Sequence, residues 1–551
     1  MKKTPNNFTF RNPKSEMFFP HSAIRNPKSE IKSLFFLSVV FLFLTFHFLL
    51  TPSNLFAQTP EWVYQYVNPQ STEYPYAITV DSIGNTYTTG CIFIGTSRGL
   101  GVIHLDYTGT NGWVYFNDTL GVGETGYDII FAFNRIYLVG ETGNDDVIVA
   151  CIDTLGSELW LYCDTFASCG YAIGVSESHH IYVAGIKYPS PPDWVVLKLD
   201  SLGNLCWRYV YDGPAGSYDE ASSIVIDGNE NIYVGGYSTG GGTSTDFTII
   251  KLDSAGQEQW VYRYDGPASY RDEPRVLALD SLGNLYITGW SWGIDWDFCV
   301  VKIDTAGQER WVYRYNGLAN SADYSYSLVV DDSGNVYVGG DSRDDTISLF
   351  TVIKIDSVGH ERWRYLNRGP WGKGGGVACL TLDGQGHIYA GGGFTNPAWR
   401  GQIAVVKLNS AGESLWIYIY PHQPISPWTD CSRDMVTDIA GNIYLAGQIN
   451  VSAWNDDIVV MKFASGQGRV EEVRGNKTIK TNFGVTIFKG GIEFIPQEDC
   501  GLRVYDVMGR MVVNKVLQSG KNEYFKLGSG VYFMCINSAE KMEHRKIVVL
   551  E

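Results

Sequence analysis

The stretch "KLDSAGQEQWVYRYDGPASY" (251–270) is restated fifty-one residues later as "KIDTAGQERWVYRYNGLANS" (302–321), and this internal repeat constrains the fold more than any other feature of the chain. The unit has two halves. The first reads like "LALDSLGNLYITG" (277–289), with relatives at 78–90, 224–236, 328–340 and 435–447. The second follows a "VVKLD-SxG-xxxW-xYxY" pattern. Its tryptophan recurs as Trp62, Trp113, Trp160, Trp207, Trp260, Trp311, Trp363 and Trp416, spaced 47 to 53 residues apart. A glycine closes each first half, at Gly90, Gly140, Gly185, Gly236, Gly289, Gly340, Gly392 and Gly447.

Each half alternates apolar and polar residues on both sides of an Asp/Gly turn, so each predicts two antiparallel strands. The Asp side chain can hold the turn backbone and Gly accepts positive φ. One unit is then four short strands in about 50 residues, the size of a propeller blade. Abundant Gly (61), Tyr (35), Phe (26) and Trp (16) suit many short strands and tight turns. The array opens on a lone fourth strand, "EWVYQY" (61–66), and ends on a third strand, "DIVVMKF" (457–463). Pairing the two closes the ring and leaves no sheet edge open. The expected fold is all-β: an eight-bladed β-propeller over 58–463, seven blades being the alternative count, followed by a small C-terminal β-sandwich. The slot tryptophans are expected to be structural, packed between neighbouring sheets.

Over roughly 61–463 the unit resembles the bacterial β-propeller repeat (SBBP-like) of secreted and surface proteins. It is similar, more distantly, to the Trp-docking blades of quinoprotein dehydrogenases and outer-membrane assembly scaffolds. A polar linker (464–482) leads to a different strand rhythm. Here "VYDVMGRMV" (504–512), "LGSGVYFMCI" (527–536) and "HRKIVVLE" (544–551) resemble the C-terminal sorting domain of type IX secretion substrates, assigned to 483–551. By that resemblance Gly509, Arg510, Gly530, Tyr532 and Lys546 occupy the recurring motif positions, and the type IX secretion machinery is the implied partner. At the other end, a 17-residue apolar run (34–50) follows Lys28 and Lys32 and precedes "TPSNLFAQ". Residues 1–57 therefore read as a signal peptide with a long N-terminal extension, cleaved after Ala57. No stable transmembrane segment is expected after cleavage. The expected destination is the cell surface or the extracellular space.

Residues 58–469 carry a net charge of −24, which argues against nucleic-acid binding. The ten cysteines have no CxxC and no zinc spacing; they are expected to be buried thiols, with a local Cys163–Cys169 disulfide as the alternative. No HExxH, GxSxG or P-loop occurs, and the "DSxG" turns lack the DxDxDG calcium pattern. No metal set, cofactor or catalytic residue is assigned. Eight tryptophans lie outside the repeat slot, and all but Trp194 are placed in long connections of blades five to eight. Trp290, Trp292, Trp296, Trp371, Trp399, Trp428 and Trp454, with Asp295, make the candidate ligand surface, because flat rings beside Asp, Asn and Arg suit a glycan or protein partner. Asp146, Asp193, Asp246, Asp297 and Asp457, recurring before the third strand, are expected to cap turns. The functional expectation is a non-catalytic binding or adhesion module for glycan or protein. The alternatives are a secreted carbohydrate-active hydrolase or lyase using loop carboxylates, and a spacer with no ligand.

Overall fold

The computed structural model describes residues 58–465 apart from 69–70, 121–122, 189–190, 318, 423–429 and 453–454. Between 478 and 549 it describes the strands and residues 518, 519 and 521. The signal segment 1–57, most of the linker, Trp428, Trp454, Gly509 and Arg510 lie outside the described residues.

Eight four-stranded antiparallel sheets form the propeller. Blades 1 to 7 are continuous: Tyr74–Asn117, Thr125–Asp164, Cys169–Tyr211, Asp219–Tyr264, Asp272–Tyr315, Tyr324–Asn367 and Gly375–Ile419. Blade 8 combines Cys431–Phe463 with Trp62–Tyr66, whose Trp62 pairs with Lys462 and Tyr66 with Ile458. First strands of successive blades touch all the way round, blade 8 meeting blade 1, so the ring is closed on its inner side. The two middle strands of a blade are buried on both faces, as in Ile181–Lys187 and Asp193–Leu199. The first and fourth alternate between covered and open positions.

The "DxxGN" turn between first and second strands works as expected. In blade 5, Asp280 Oδ1 accepts the N–H groups of Leu282 (2.9 Å) and Asn284 (2.7 Å). Its Oδ2 accepts Asn284 Nδ2 (2.7 Å) and the Tyr286 hydroxyl (2.9 Å). That Tyr recurs on every second strand, and in blades 3 to 8 a Lys from the third strand lies over its ring, as Lys302 does at 4.9 Å.

The turn between third and fourth strands has a second job. Trp260 of blade 4 donates Nε1–H to the carbonyl of Thr305 in blade 5 (3.2 Å), and its ring lies against Gly307, whose φ is +79°. Lys251 donates to the same carbonyl (3.2 Å). The arrangement repeats with Trp62 on Tyr107, Trp113 on Thr154, Trp160 on Ser201, Trp207 on Ser254, Trp311 on Ser357 and Trp363 on Ser410. The slot Trp is thus structural, but docked half-buried across a seam. A Cβ on the turn glycine would enter its ring, so Trp and Gly belong to one joint. Trp416 has no such turn to meet, because blade 8 is completed from the other end of the array. It stacks on Phe463 instead, centroids 5.6 Å apart.

The C-terminal region forms two further antiparallel sheets, one ordered Thr478–Ile479, Val485–Phe488, Gly491–Phe494, Glu523–Lys526 and the other Met511–Leu517, Cys500–Asp506, Gly530–Ser538, Met542–Val549. Gly530 pairs with Val549, Lys546 with Phe533, and Tyr532 with both Ile547 and Asp506, so these three motif positions sit in adjacent strands of one sheet. Among the described residues no helix is long and apolar enough to cross a membrane.

Candidate functional site

All eight first strands carry a β-bulge at the same place, for example between Pro75 and Ala77 in blade 1 and between Pro274 and Val276 in blade 5. The second strand meets the bulge with its closing glycine. A Cβ at Gly289 would strike the carbonyl oxygen of Glu273, and the same collision with first-strand backbone occurs at the other seven closing glycines. This close approach, not a turn, is why that glycine recurs.

A bulge re-aims one side chain. Here the extra residues are Tyr76, Tyr127, Tyr171, Ser222, Arg275, Tyr326, Ala378 and Arg433. They sit at equivalent positions on the innermost strands, around the centre of the ring. Tyr76 is 39% exposed while its neighbours Pro75 and Ala77 are buried. Rings meet edge-on across the seams, Tyr76 to Tyr127 at 5.2 Å and Tyr127 to Tyr171 at 5.5 Å. Further round, Trp290 meets Tyr324 (5.1 Å) and Tyr326 (5.7 Å), with the Arg275 guanidinium 4.4 Å over the Trp290 ring.

Carboxylates line the same mouth. Glu141 accepts the Tyr127 hydroxyl (2.7 Å) and the Cys169 thiol (3.1 Å). Burial first, then the Glu141 charge, holds that thiol protonated well above its usual range. Cys163 and Cys169 are both free thiols, so the alternative disulfide is not formed. Glu220 accepts the Tyr237 hydroxyl (3.0 Å), and burial raises its carboxyl and that of Asp341. Arg433 donates to Gln448 Oε1 (2.7 and 3.0 Å). One step deeper, Asp128 accepts the N–H of Ile129 (2.8 Å) and, across the seam, of Ile173 (2.9 Å). Asp434 does the same with Met435 (2.8 Å) and Ile78 (2.9 Å). Burial pushes Asp128 up to about 7, with the charge of Asp434 adding to it. The mouth therefore combines aromatic rings with hydroxyl and carboxylate acceptors and two cations, on backbone fixed by the bulge–glycine contact.

The tryptophans singled out in the sequence do not share one loop surface. Trp290 lies inside the strand Leu285–Trp292 and is 6% exposed. Trp292 ends that strand and Trp296 opens the next, so "WSWGIDWD" is a hairpin whose period-2 alternation continues to its tip. The rings of Trp292 and Trp296 meet at 4.9 Å, with Tyr270 5.3 Å from Trp292, and Asp295 Oδ1 accepts the Trp296 N–H (2.9 Å). Trp371 (39% exposed) and Trp399 (61%) are open loop residues, Lys373 lying 4.1 Å over the Trp399 ring. Of the described candidates, only Trp290 joins the channel mouth.

The recurring third-strand aspartates do not cap turns as a class. They head the strand, and three pair with a side chain from the fourth: Asp297 with Arg314 (2.7 Å), Asp246 with Arg263 (3.4 Å), Asp457 with Gln65 (2.6 Å). Spacing alone gave no sign of this, because the partner changes from blade to blade, being Arg or Gln of the fourth strand or, for Asp193, Lys187 of the second.

Residues 213–242 and 263–295 match the family described as Beta-propeller repeat, and residues 485–550 match the Secretion system C-terminal sorting domain. The chain is 27% identical over 256 residues to Regulatory protein FlaEY of Caulobacter vibrioides, covering 37% of this chain and 26% of that protein. It thus spans about a quarter of that relative's length. Among solved structures it is similar to Sqt1 from Chaetomium thermophilum (TM-score 0.50, 11% identity, 72% of this chain and 96% of that one), a likeness of fold alone. The quinohemoprotein alcohol dehydrogenase of Comamonas testosteroni gives TM-score 0.47 at 13% identity, covering 78% and 80% of the two chains. The repeat match falls on blades 4 and 5 and agrees with their propeller form. The sorting domain makes this a protein exported to the cell surface or extracellular space and handled by type IX secretion.

Proposed function

We propose that this exported propeller is a non-catalytic recognition module and that its ligand, a carbohydrate, sits at the channel mouth. The observation that carries the reading is the run Tyr76–Tyr127–Tyr171, three rings in edge contact on the rigid inner strands, with Trp290 and Tyr326 further round the same ring. Aromatic faces stack on the apolar faces of sugars, and Glu141, Glu220 and Asp341 offer acceptors for ring hydroxyls. Arg275 and Arg433 offset part of the acidic charge, so a neutral or mildly anionic glycan suits the mouth better than a polyanion. The exposed Trp371 and Trp399 belong to a separate patch and are not needed for this site.

The test uses the full chain on an array of neutral and sialylated oligosaccharides, with captured glycans weighed by mass spectrometry. Tyr127→Ala/Tyr171→Ala should lose binding, while Trp292→Ala/Trp296→Ala should keep it. Binding that survives the tyrosine pair, or that disappears only with the tryptophan pair, would move the site away from the channel. Shortened glycans would replace the recognition module with an enzyme.

A further inference from the structure

Where blade 4 passes to blade 5, three carboxylates converge. Asp246 heads the third strand of blade 4, Asp265 lies in the connection leaving that blade, and Asp272 opens the first strand of blade 5. Each offers an oxygen within 4.8 Å of the others. Most of their oxygens are engaged. Asp272 accepts the N–H groups of Gly266 (2.7 Å) and Trp292 (3.2 Å), and Asp265 Oδ2 accepts the Ser269 hydroxyl (2.9 Å). Asp246 Oδ2 takes the Thr243 hydroxyl (3.0 Å) and Arg263 (3.4 Å). Asp246 is only 3% exposed, and its other oxygen, Oδ1, is buried with no donor at all. A buried carboxylate oxygen without a donor is costly and asks for a partner.

Arg263 balances one of the three negative charges and is itself held by the Ser238 carbonyl (3.0 Å) and the Tyr211 hydroxyl (2.9 Å). The two remaining charges match one divalent ion. Hard oxygen donors without nitrogen or sulfur select Ca²⁺ or Mg²⁺, and a loose carboxylate set completed by water favours the more tolerant Ca²⁺. We propose that Asp246, Asp265 and Asp272 bind a divalent cation, Ca²⁺ by preference, that clasps blade 4 to blade 5.

Neighbouring seams sharpen the assignment. The same positions one blade earlier, Asp193, Asp212 and Asp219, also converge, but Lys187 pairs with Asp193 (3.6 Å) and no oxygen of the three is buried without a donor. One blade later Asn316 stands at the middle position. Asp297 Oδ1 is likewise buried without a donor there, so among the described residues the blade 4–5 seam is set apart by joining such an oxygen to three carboxylates.

The site is tested on the purified full chain, stripped with chelator, by calorimetric Ca²⁺ titration and by Tb³⁺ luminescence excited through tryptophan. Wild type should bind in the sub-millimolar to millimolar range of extracellular calcium modules, roughly 10⁻⁴ to 10⁻³ M, and its thermal midpoint should rise with Ca²⁺. Asp265 is exposed, so Asp265→Asn should fold normally yet weaken binding roughly tenfold or more by removing a charged ligand. Asp212→Asn, in the earlier seam, should leave binding unchanged. No uptake by wild type at millimolar Ca²⁺, undiminished binding by Asp265→Asn, or loss of binding in Asp212→Asn instead would each overturn the proposal.

Discussion

Trp260 and Gly307 form a joint whose strength can be worked out from its parts. Truncating a buried Trp to Ala costs roughly 3–5 kcal/mol. Trp260 is half-buried, so about half of that, roughly 2 kcal/mol, is packing against Gly307 and the Tyr233 ring, whose centroid is 6.0 Å away. The bond to the Thr305 carbonyl adds about 0.5–1 kcal/mol; the loss stays small because Lys251 still serves that carbonyl. Trp260→Ala should therefore cost roughly 2–3 kcal/mol and Trp260→Phe, which keeps a ring, about 1 kcal/mol. Gly307→Ala adds a Cβ 2.9 Å from the Trp260 ring at φ +79°, so it suffers both collision and backbone strain in wild type. In the Trp260→Ala background only the strain remains. Urea unfolding of the four proteins, followed by far-UV circular dichroism, makes a double-mutant cycle with a coupling of about 1 kcal/mol. If Gly307→Ala costs the same in both backgrounds, the ring does not dock on that glycine and the account of the seam is wrong.

Two further outcomes follow from backbone and charge. Gly289→Ala should lose at least about 3–4 kcal/mol or fail to fold, since its Cβ strikes the Glu273 carbonyl and the Pro274 backbone. Gly228→Ala, with nothing near its Cβ, should be neutral or stabilising by roughly 0.4–1 kcal/mol, and thermal melts of the pair check both. Burial, with the Asp457 charge adding, pushes Glu73 up to about 7, against an ordinary 4.5. A raised acid binds its proton more tightly in the folded state, so its contribution is full below about pH 4 and is lost as pH rises to about 7. Glu73→Gln removes that loss. Denaturation midpoints at pH 4 and pH 8 should show the variant gaining on wild type with rising pH, by up to about 3 kcal/mol, and an unchanged difference would contradict the buried carboxyl.

What the sequence exposed was whatever the eight blades hold in common. The Trp slot, the Asp/Gly turns and the two incomplete ends were sufficient for strand number, blade number and ring closure. The slot Trp was visible as structural because it recurs, yet its partner was not. The carbonyl and glycine it meets lie 41 to 49 residues downstream, in the next blade, so the joint emerges only once the ring is built. Three of the candidate tryptophans sit in strands and not in a long connection, for a local reason. Gly293 and Asp295 in "WSWGIDWD" look like loop residues, but they turn a three-residue hairpin tip, so Trp290 stays inside a strand and Trp292 and Trp296 end up facing each other across it.

The channel mouth stayed hidden for the opposite reason, and that reason bears on function. At the bulge the scaffold fixes the backbone through the closing glycine of the second strand and demands nothing of the bulged side chain. The eight blades fill the position with Tyr, Tyr, Tyr, Ser, Arg, Tyr, Ala and Arg. Positions under structural constraint, such as the glycine opposite or the buried Tyr of the second strand, do not vary in this way: all eight are Gly, and all eight are Tyr. A side chain free of the fold but held at one height around a common axis is a display position. Three tyrosines fall in consecutive blades and the two arginines three blades apart, giving the mouth an aromatic side and a charged side. An asymmetric ligand would be oriented by that difference, and for this reason the tyrosine pair, not the exposed tryptophans, is the first place to break binding.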